Sequence, residues 1–125
     1  MPDSLLVIRN EQMKVFTDEN ERRWVIKCLQ ADYPEDTSAM GAPALGRLVE
    51  RAQAKAHAHG FRDPQEVRKY TRVAFLLGAD FESDPQLGWA RQILTSRRFK
   101  LPLSRLRALE DATLRHLSKG MIKRR

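Results

Sequence analysis

Asp63-Pro64-Gln65-Glu66-Val67-Arg68-Lys69-Tyr70-Thr71-Arg72-Val73-Ala74-Phe75-Leu76-Leu77-Gly78 is the stretch on which the fold turns. Asp63 is a helix cap, a short carboxylate that accepts from backbone N–H groups lacking an intrahelical partner. Pro64 fills the first turn, where a missing N–H does no harm, and Glu66 completes a capping box. Val67, Tyr70, Val73, Ala74 and Leu77 recur at spacings of three and four and therefore share one face. Val73 to Leu77 is apolar all round, which predicts burial on every side and makes this the central helix. Arg68, Lys69 and Arg72 cluster on the opposite face, and Gly78 ends the helix.

Toward the N-terminus, Pro43 opens a helix whose buried stripe is Leu45, Leu48, Val49, Ala52 and Ala56, with Gly60 as its stop. Residues 34–42, rich in Pro, Asp, Ser, Thr and Gly, read as a loop. The stretch from Asn10, a cap, to Tyr33 is helical in character, with a second start signal at Thr17-Asp18-Glu19-Asn20. Trp24, Val25, Cys28 and Leu29 form its core stripe. Leu5 to Ile8 is a short apolar run, extended or a small strand. Toward the C-terminus, Asp84-Pro85 repeats the cap-and-proline start for a helix of about three turns lined by Trp89, Ile93 and Leu94. Ser104 or its neighbour opens a last helix that Gly120 stops. Its apolar arc is Leu103, Leu106, Leu109, Thr113, Leu114 and Leu117. The expected fold is all-α: one domain over 1–125, a single compact bundle of about five helices at 10–120. An extended arm lies at 1–9 and a basic tail at 121–125.

The 125 residues suffice to bury a core without metal or disulfide, and the 42% hydrophobic and 31% charged fractions are those of a globular chain. No apolar run nears the roughly 20 residues of a membrane helix, and the N-terminus lacks the basic region of a signal peptide. The single cysteine, Cys28, has no internal disulfide partner. A cytoplasmic location with no membrane contact is expected. Charge is uneven. Residues 1–90 hold 12 basic and 14 acidic residues, whereas residues 91–125 hold 11 basic residues and only Glu110 and Asp111. The whole positive excess therefore sits at the C-terminal end. It suggests an electrostatic docking surface, a solvated helix being the plainer alternative.

No nucleophile, general base, cofactor site or metal site is assigned. Asp80, Glu82 and Asp84 alternate like half a calcium loop, but Pro85 and Arg91 occupy the positions that need Gly and Glu. His57 and His59, two apart on a helix, point about 200° apart, so only one can face a given site. Cys28 reads as a small buried hydrophobe. Glu110 falls within the last helix's leucine arc. It needs an arginine partner, or else that face meets another protein. Arg97, Arg98, Lys100, Arg105, Arg107, Lys123, Arg124 and Arg125 offer non-specific phosphate contacts, but no helix-turn-helix spacing, zinc finger or aromatic RNA platform accompanies them.

Three stretches taken together resemble a family of small helical bacterial proteins encoded beside type VI secretion spike, adaptor and effector genes. They are Val7-Ile8-Arg9-Asn10-Glu11-Gln12-Met13, Ala52 to Phe61 with the central helix, and Asp80-Phe81-Glu82-Ser83-Asp84-Pro85 together with Trp89-Ala90 and Ile93-Leu94. The pattern covers about residues 7–94. Ala74 departs from it where the family usually has methionine, and Gly88 where proline is frequent. The resemblance implies an adaptor or co-chaperone that binds a secretion effector, its loading chaperone or a spike component. An immunity protein that binds a toxin and a basic nucleic-acid-binding protein are the alternatives. Candidate contact residues are Phe81, Leu87 and Trp89, as aromatic and aliphatic anchors. Arg97, Arg98, Lys100, Arg105, Arg107 and Arg115 are candidates as a basic docking surface. The ridge of Arg68, Lys69 and Arg72 is a third candidate surface.

Overall fold

A computed structural model describes residues 17–123, with side-chain surroundings as far as Lys119. The predicted 1–9 arm, the Asn10 cap and the last two residues of the tail lie outside the described residues. The first helix, α1 (Asp18–Asp32), begins at the second of the two predicted start signals. Thr17 caps it by accepting from the Asn20 N–H at 3.2 Å, and Asp18, Glu19 and Glu21 place negative charge on the positive end of the helix dipole. Glu21, Val25 and Leu29 form its buried face, while Trp24 and Cys28 are only half-buried.

The loop expected at 34–42 is instead a short helix, α2 (Pro34–Met40). Proline and acidic residues are common in loops, but in a first turn the same residues favour a helix. Thr37 is buried and its hydroxyl donates to the Tyr33 carbonyl at 2.8 Å. Gly41, with φ +86°, then allows the sharp change of direction into α3 (Ala42–Ala58). That helix starts one residue before Pro43. Its buried face is Leu45, Val49, Ala52 and Ala56, joined by Gln53 rather than by the half-buried Leu48.

The central helix, α4 (Pro64–Leu77), has the predicted capping box: Asp63 accepts from the Gln65 N–H at 2.9 Å, and the Asp63 N–H donates to Glu66. It packs against α1, α3 and the last helix. Val67, Tyr70, Val73 and Ala74 are fully buried, but Phe75, Leu76 and Leu77 are only half-buried, so its C-terminal end is not enclosed on every side. Asp84 caps as expected, accepting from the Gln86 N–H at 2.9 Å. It opens a 3-10 turn (Pro85–Leu87) that leads into α5 (Gly88–Thr95), which is little more than two turns long. A second 3-10 turn, Phe81–Ser83, precedes Asp84.

The last helix, α6 (Pro102–Lys123), opens at Pro102 rather than Ser104 and continues through Gly120, so the expected glycine stop does not operate. Its 22 residues span about 33 Å. It packs on α4 and α5. Leu106, Leu109, Glu110 and Thr113 are buried, but Leu103 and Leu114 are exposed, so the buried arc is narrower than the leucine pattern suggested. Among the described residues the architecture is all-α, with six α-helices and two 3-10 turns around one core. No described helix is long and apolar enough to cross a membrane.

Candidate functional site

Phe81 and Leu87, two of the three predicted anchors, are core residues, with 1% and 6% of their surface exposed. The 3-10 turn that carries Phe81 is pressed against Tyr70, with ring centroids 5.4 Å apart. This corrects their assignment as contacts: their apolar surface is already spent inside the bundle. Trp89 differs. It packs on the core along one side, meets the His116 ring at a tilt with centroids 5.3 Å apart, and lines an open groove.

The Arg68, Lys69 and Arg72 ridge is not a free surface either. Arg72 Nη1 lies 3.3 Å from Glu110 and its Nε donates to the Tyr33 hydroxyl at 2.8 Å. Lys69 reaches the other Glu110 oxygen at 3.1 Å, and Arg68 faces Asp32 at 3.6 Å. Glu110 thus has the arginine partner that its place in an apolar arc required, and a lysine besides. The Tyr33 bond and the neighbouring Glu110 carboxylate both hold the Arg72 guanidinium in its charged form, against the opposing effect of burial.

The alternating carboxylates 80, 82 and 84 do not converge on a common point. Asp80 binds Lys55 and Arg51 on α3, and these two cations lower its carboxyl pKa. Glu82 accepts from the Tyr70 hydroxyl and from His59 Nε2, the latter at 2.7 Å. Burial raises the Glu82 carboxyl, but these bonds outweigh it and bring the group below its ordinary value. The Tyr70 phenol is pushed up by burial and by the carboxylate beside it. His59 and His57 do face different sites, as their spacing requires: His57 Nε2 bonds to Glu21 at 3.0 Å.

Asp18, Glu21 and His57 place ligand atoms within 4.8 Å of one another, a set of donors that a divalent cation could use. Two of the three, Glu21 and His57, are already held by hydrogen bonds. Glu21 is bonded to both His57 and Gln53, and Gln53 in turn donates to the Asp18 carbonyl and accepts from Arg22. Cys28 is not an activated nucleophile, since burial raises its thiol pKa more than Arg68 lowers it.

The groove containing Trp89 has a volume of about 530 Å³, within the range of roughly 300–1,000 Å³ found for ligand sites. One wall is α5, through Trp89, Gln92 and Ile93, continued by the turn bearing Ser96, Arg98 and Phe99. The other is α6, through Ala112, Arg115, His116 and Lys119. The residues on each helix recur at three and four, so two helical faces oppose each other. Arg98, Arg115 and Lys119 are exposed, and among the described residues no carboxylate lies within ion-pair distance of them. Of the predicted basic surface, Arg98 and Arg115 therefore meet in one place. Arg97, Lys100 and Arg107 are exposed but lie outside the groove lining.

Arg105 belongs to neither set. Its guanidinium donates to the carbonyls of Ile93, Leu94 and Phe99 at 3.1, 2.7 and 3.2 Å, closing the C-terminal end of α5. It also covers the Phe99 ring at 5.9 Å. This corrects its assignment as a contact residue: it holds the turn that forms one wall. Phe99, Ser96, His116 and Lys119 carry no signal of their own in the sequence. Only the 89-92-93-96 and 112-115-116-119 spacings point to two faces, and nothing in either spacing shows that they oppose. Comparison with protein-family models, with curated proteins and with solved structures finds no match for this chain.

Proposed function

We propose that this chain is a non-enzymatic protein-binding module, an adaptor or co-chaperone that assists the loading of a type VI secretion effector. The observation that carries the binding role is the groove between α5 and α6. It combines an aromatic and aliphatic floor, Trp89, Ile93 and Phe99, with a rim of cations that have no ion-pair partner among the described residues. Apolar surface supplies contact energy when water is displaced, and unpaired charge supplies steering and choice of partner. The clusters that carry titratable groups support the same reading. His57–Glu21 and His59–Glu82–Tyr70 are closed hydrogen-bond sets that tie helices together. The secretion context comes from the sequence resemblance alone.

Affinity co-purification from the native host tests the proposal, with bound proteins and nucleic acid both identified. Recovery of an effector, a loading chaperone or a spike component by the native chain is the expected result. A bound toxin whose killing the chain suppresses would make it an immunity protein instead. The nucleic-acid reading draws on the same exposed cations, Arg97, Arg98, Lys100 and Arg107, and predicts mobility shifts of DNA or RNA with a steep salt slope.

A further inference from the structure

The groove selects more narrowly than protein binding in general. Its α6 wall, from Ala112 to Lys119, is about 10 Å long at 1.5 Å per residue. That accommodates roughly three residues of extended chain, or two turns of helix. A segment this short cannot rely on area. It must place an apolar side chain against Trp89, Ile93 and Phe99, and satisfy the rim. The rim is one-signed: Arg98 on one wall and Arg115 and Lys119 on the other, with no carboxylate among the lining residues. Half-buried cations elsewhere in the bundle have internal partners, as Lys55 has Asp80 and Arg72 has Glu110, whereas exposed ones such as Arg47 and Arg62 have no ion pair among the described residues. What sets Arg98, Arg115 and Lys119 apart is that they gather around an apolar floor with no carboxylate in the lining, so among the described residues nothing supplies the opposite charge.

We infer that this groove binds a short acidic segment of another protein, one or two apolar side chains flanked by Asp or Glu, held with its apolar side chains on Trp89 and its carboxylates at Arg98 and Arg115. This rests on the protein-binding reading and names the chemistry of its partner. Arg105 is a positioning residue for the site, since its three carbonyl bonds fix the turn that presents Arg98 and Phe99.

The test uses the full chain and a synthetic peptide of about twelve residues, Asp and Glu flanking a central Phe-Leu pair. Comparison peptides replace the pair by Ala-Ala or the acids by Lys. Binding is followed by calorimetry at about 50 and about 200 mM salt. The expected result is binding of the acidic, anchored peptide only, weakening with salt. It should fall about tenfold or more in the double variant Arg98→Glu, Arg115→Glu. Arg47→Glu, which reverses an exposed charge on α3 outside the lining, should leave it unchanged. Melting temperatures of both variants should match the native chain, because neither Arg98 nor Arg115 has an ion-pair partner among the described residues.

Absence of peptide binding, equal binding by the double variant or equal binding of the lysine peptide overturns the inference. So does a single-stranded oligonucleotide competing at the same concentration, or self-association of the chain abolished by the same two substitutions. Co-purification separates this from the wider reading. A partner protein retained by the double variant sinks the groove and leaves protein binding standing, whereas recovery of no partner by the native chain sinks the wider reading.

Discussion

Six basic side chains of the α1–α4 region and three of the α5–α6 region are used in opposite ways. In the first, Arg22, Arg51, Lys55, Arg68, Lys69 and Arg72 each reach a carboxylate on another element. In the second, Arg98, Arg115 and Lys119 line an open groove, and among the described residues they have no such partner. A basic side chain is therefore not by itself a docking feature. What makes it one is the lack of an internal acid together with an apolar floor beside it. Burial accounts for most of the difference: Arg22, Lys55, Arg68, Lys69 and Arg72 are half-buried and paired, since an ion half-removed from water needs a partner, whereas Arg51 is exposed and paired all the same.

The contrast is most vulnerable at the turn that presents Asp80 and Glu82 to α3. Phe81→Ala should cost about 3–5 kcal/mol by opening a cavity against Tyr70, read as a large fall in melting temperature. Loss of peptide binding at unchanged stability would return Phe81 to the contact surface. Within the α5–α6 region, Arg105 is the exception. Arg105→Ala should cost about 1–3 kcal/mol, since three carbonyls lose a charged donor. Arg107→Glu, exposed on the same helix, should stay within about 0.5 kcal/mol of the native chain in urea unfolding. Equal effects would erase the distinction between positioning and surface arginines.

Arg72 and Arg115 set the two regions directly against each other. Arg72→Ala should destabilise by about 1–2 kcal/mol because Glu110, only 9% exposed, loses one of its two cations. Arg115→Ala should not destabilise. If the two variants melt alike, the pairing difference carries no energy. The smallest effect lies in the pH profile. The Glu82 carboxyl is held below its ordinary value of 4.5, so the unfolded chain takes up its proton first as acid is added. The stabilisation is complete above that value and is lost as pH falls through the depressed one. Glu82→Gln should flatten the acid limb of the melting curve below about pH 4.5.

Much of the fold was legible because its signals are local. The Asp63 capping box, the prolines at first turns and the three-four spacing of Leu45, Val49, Ala52 and Ala56 each involve residues within a few positions of one another. The errors arose where one composition serves two structures. Pro34-Glu35-Asp36-Thr37-Ser38 suits a loop or a first turn equally, and Gly120 stops a helix only if the chain turns there. Of the candidate site, the basic segment and Trp89 were legible. The roles of Phe81, Leu87 and Arg105 were not, because each depends on an element distant in sequence.

Amino-acid order alone dictates that helices form, roughly where most begin, which stripes are apolar, and that the positive charge gathers after residue 90. Those properties stem from backbone capping and side-chain periodicity, which act over one or two turns. Three-dimensional packing was needed to settle which cations are neutralised and which stay open, that α5 and α6 face each other across a groove, and that Arg105 supports the wall. Such outcomes depend on side chains from elements far apart in the chain, and the distances between them are set by the fold as a whole.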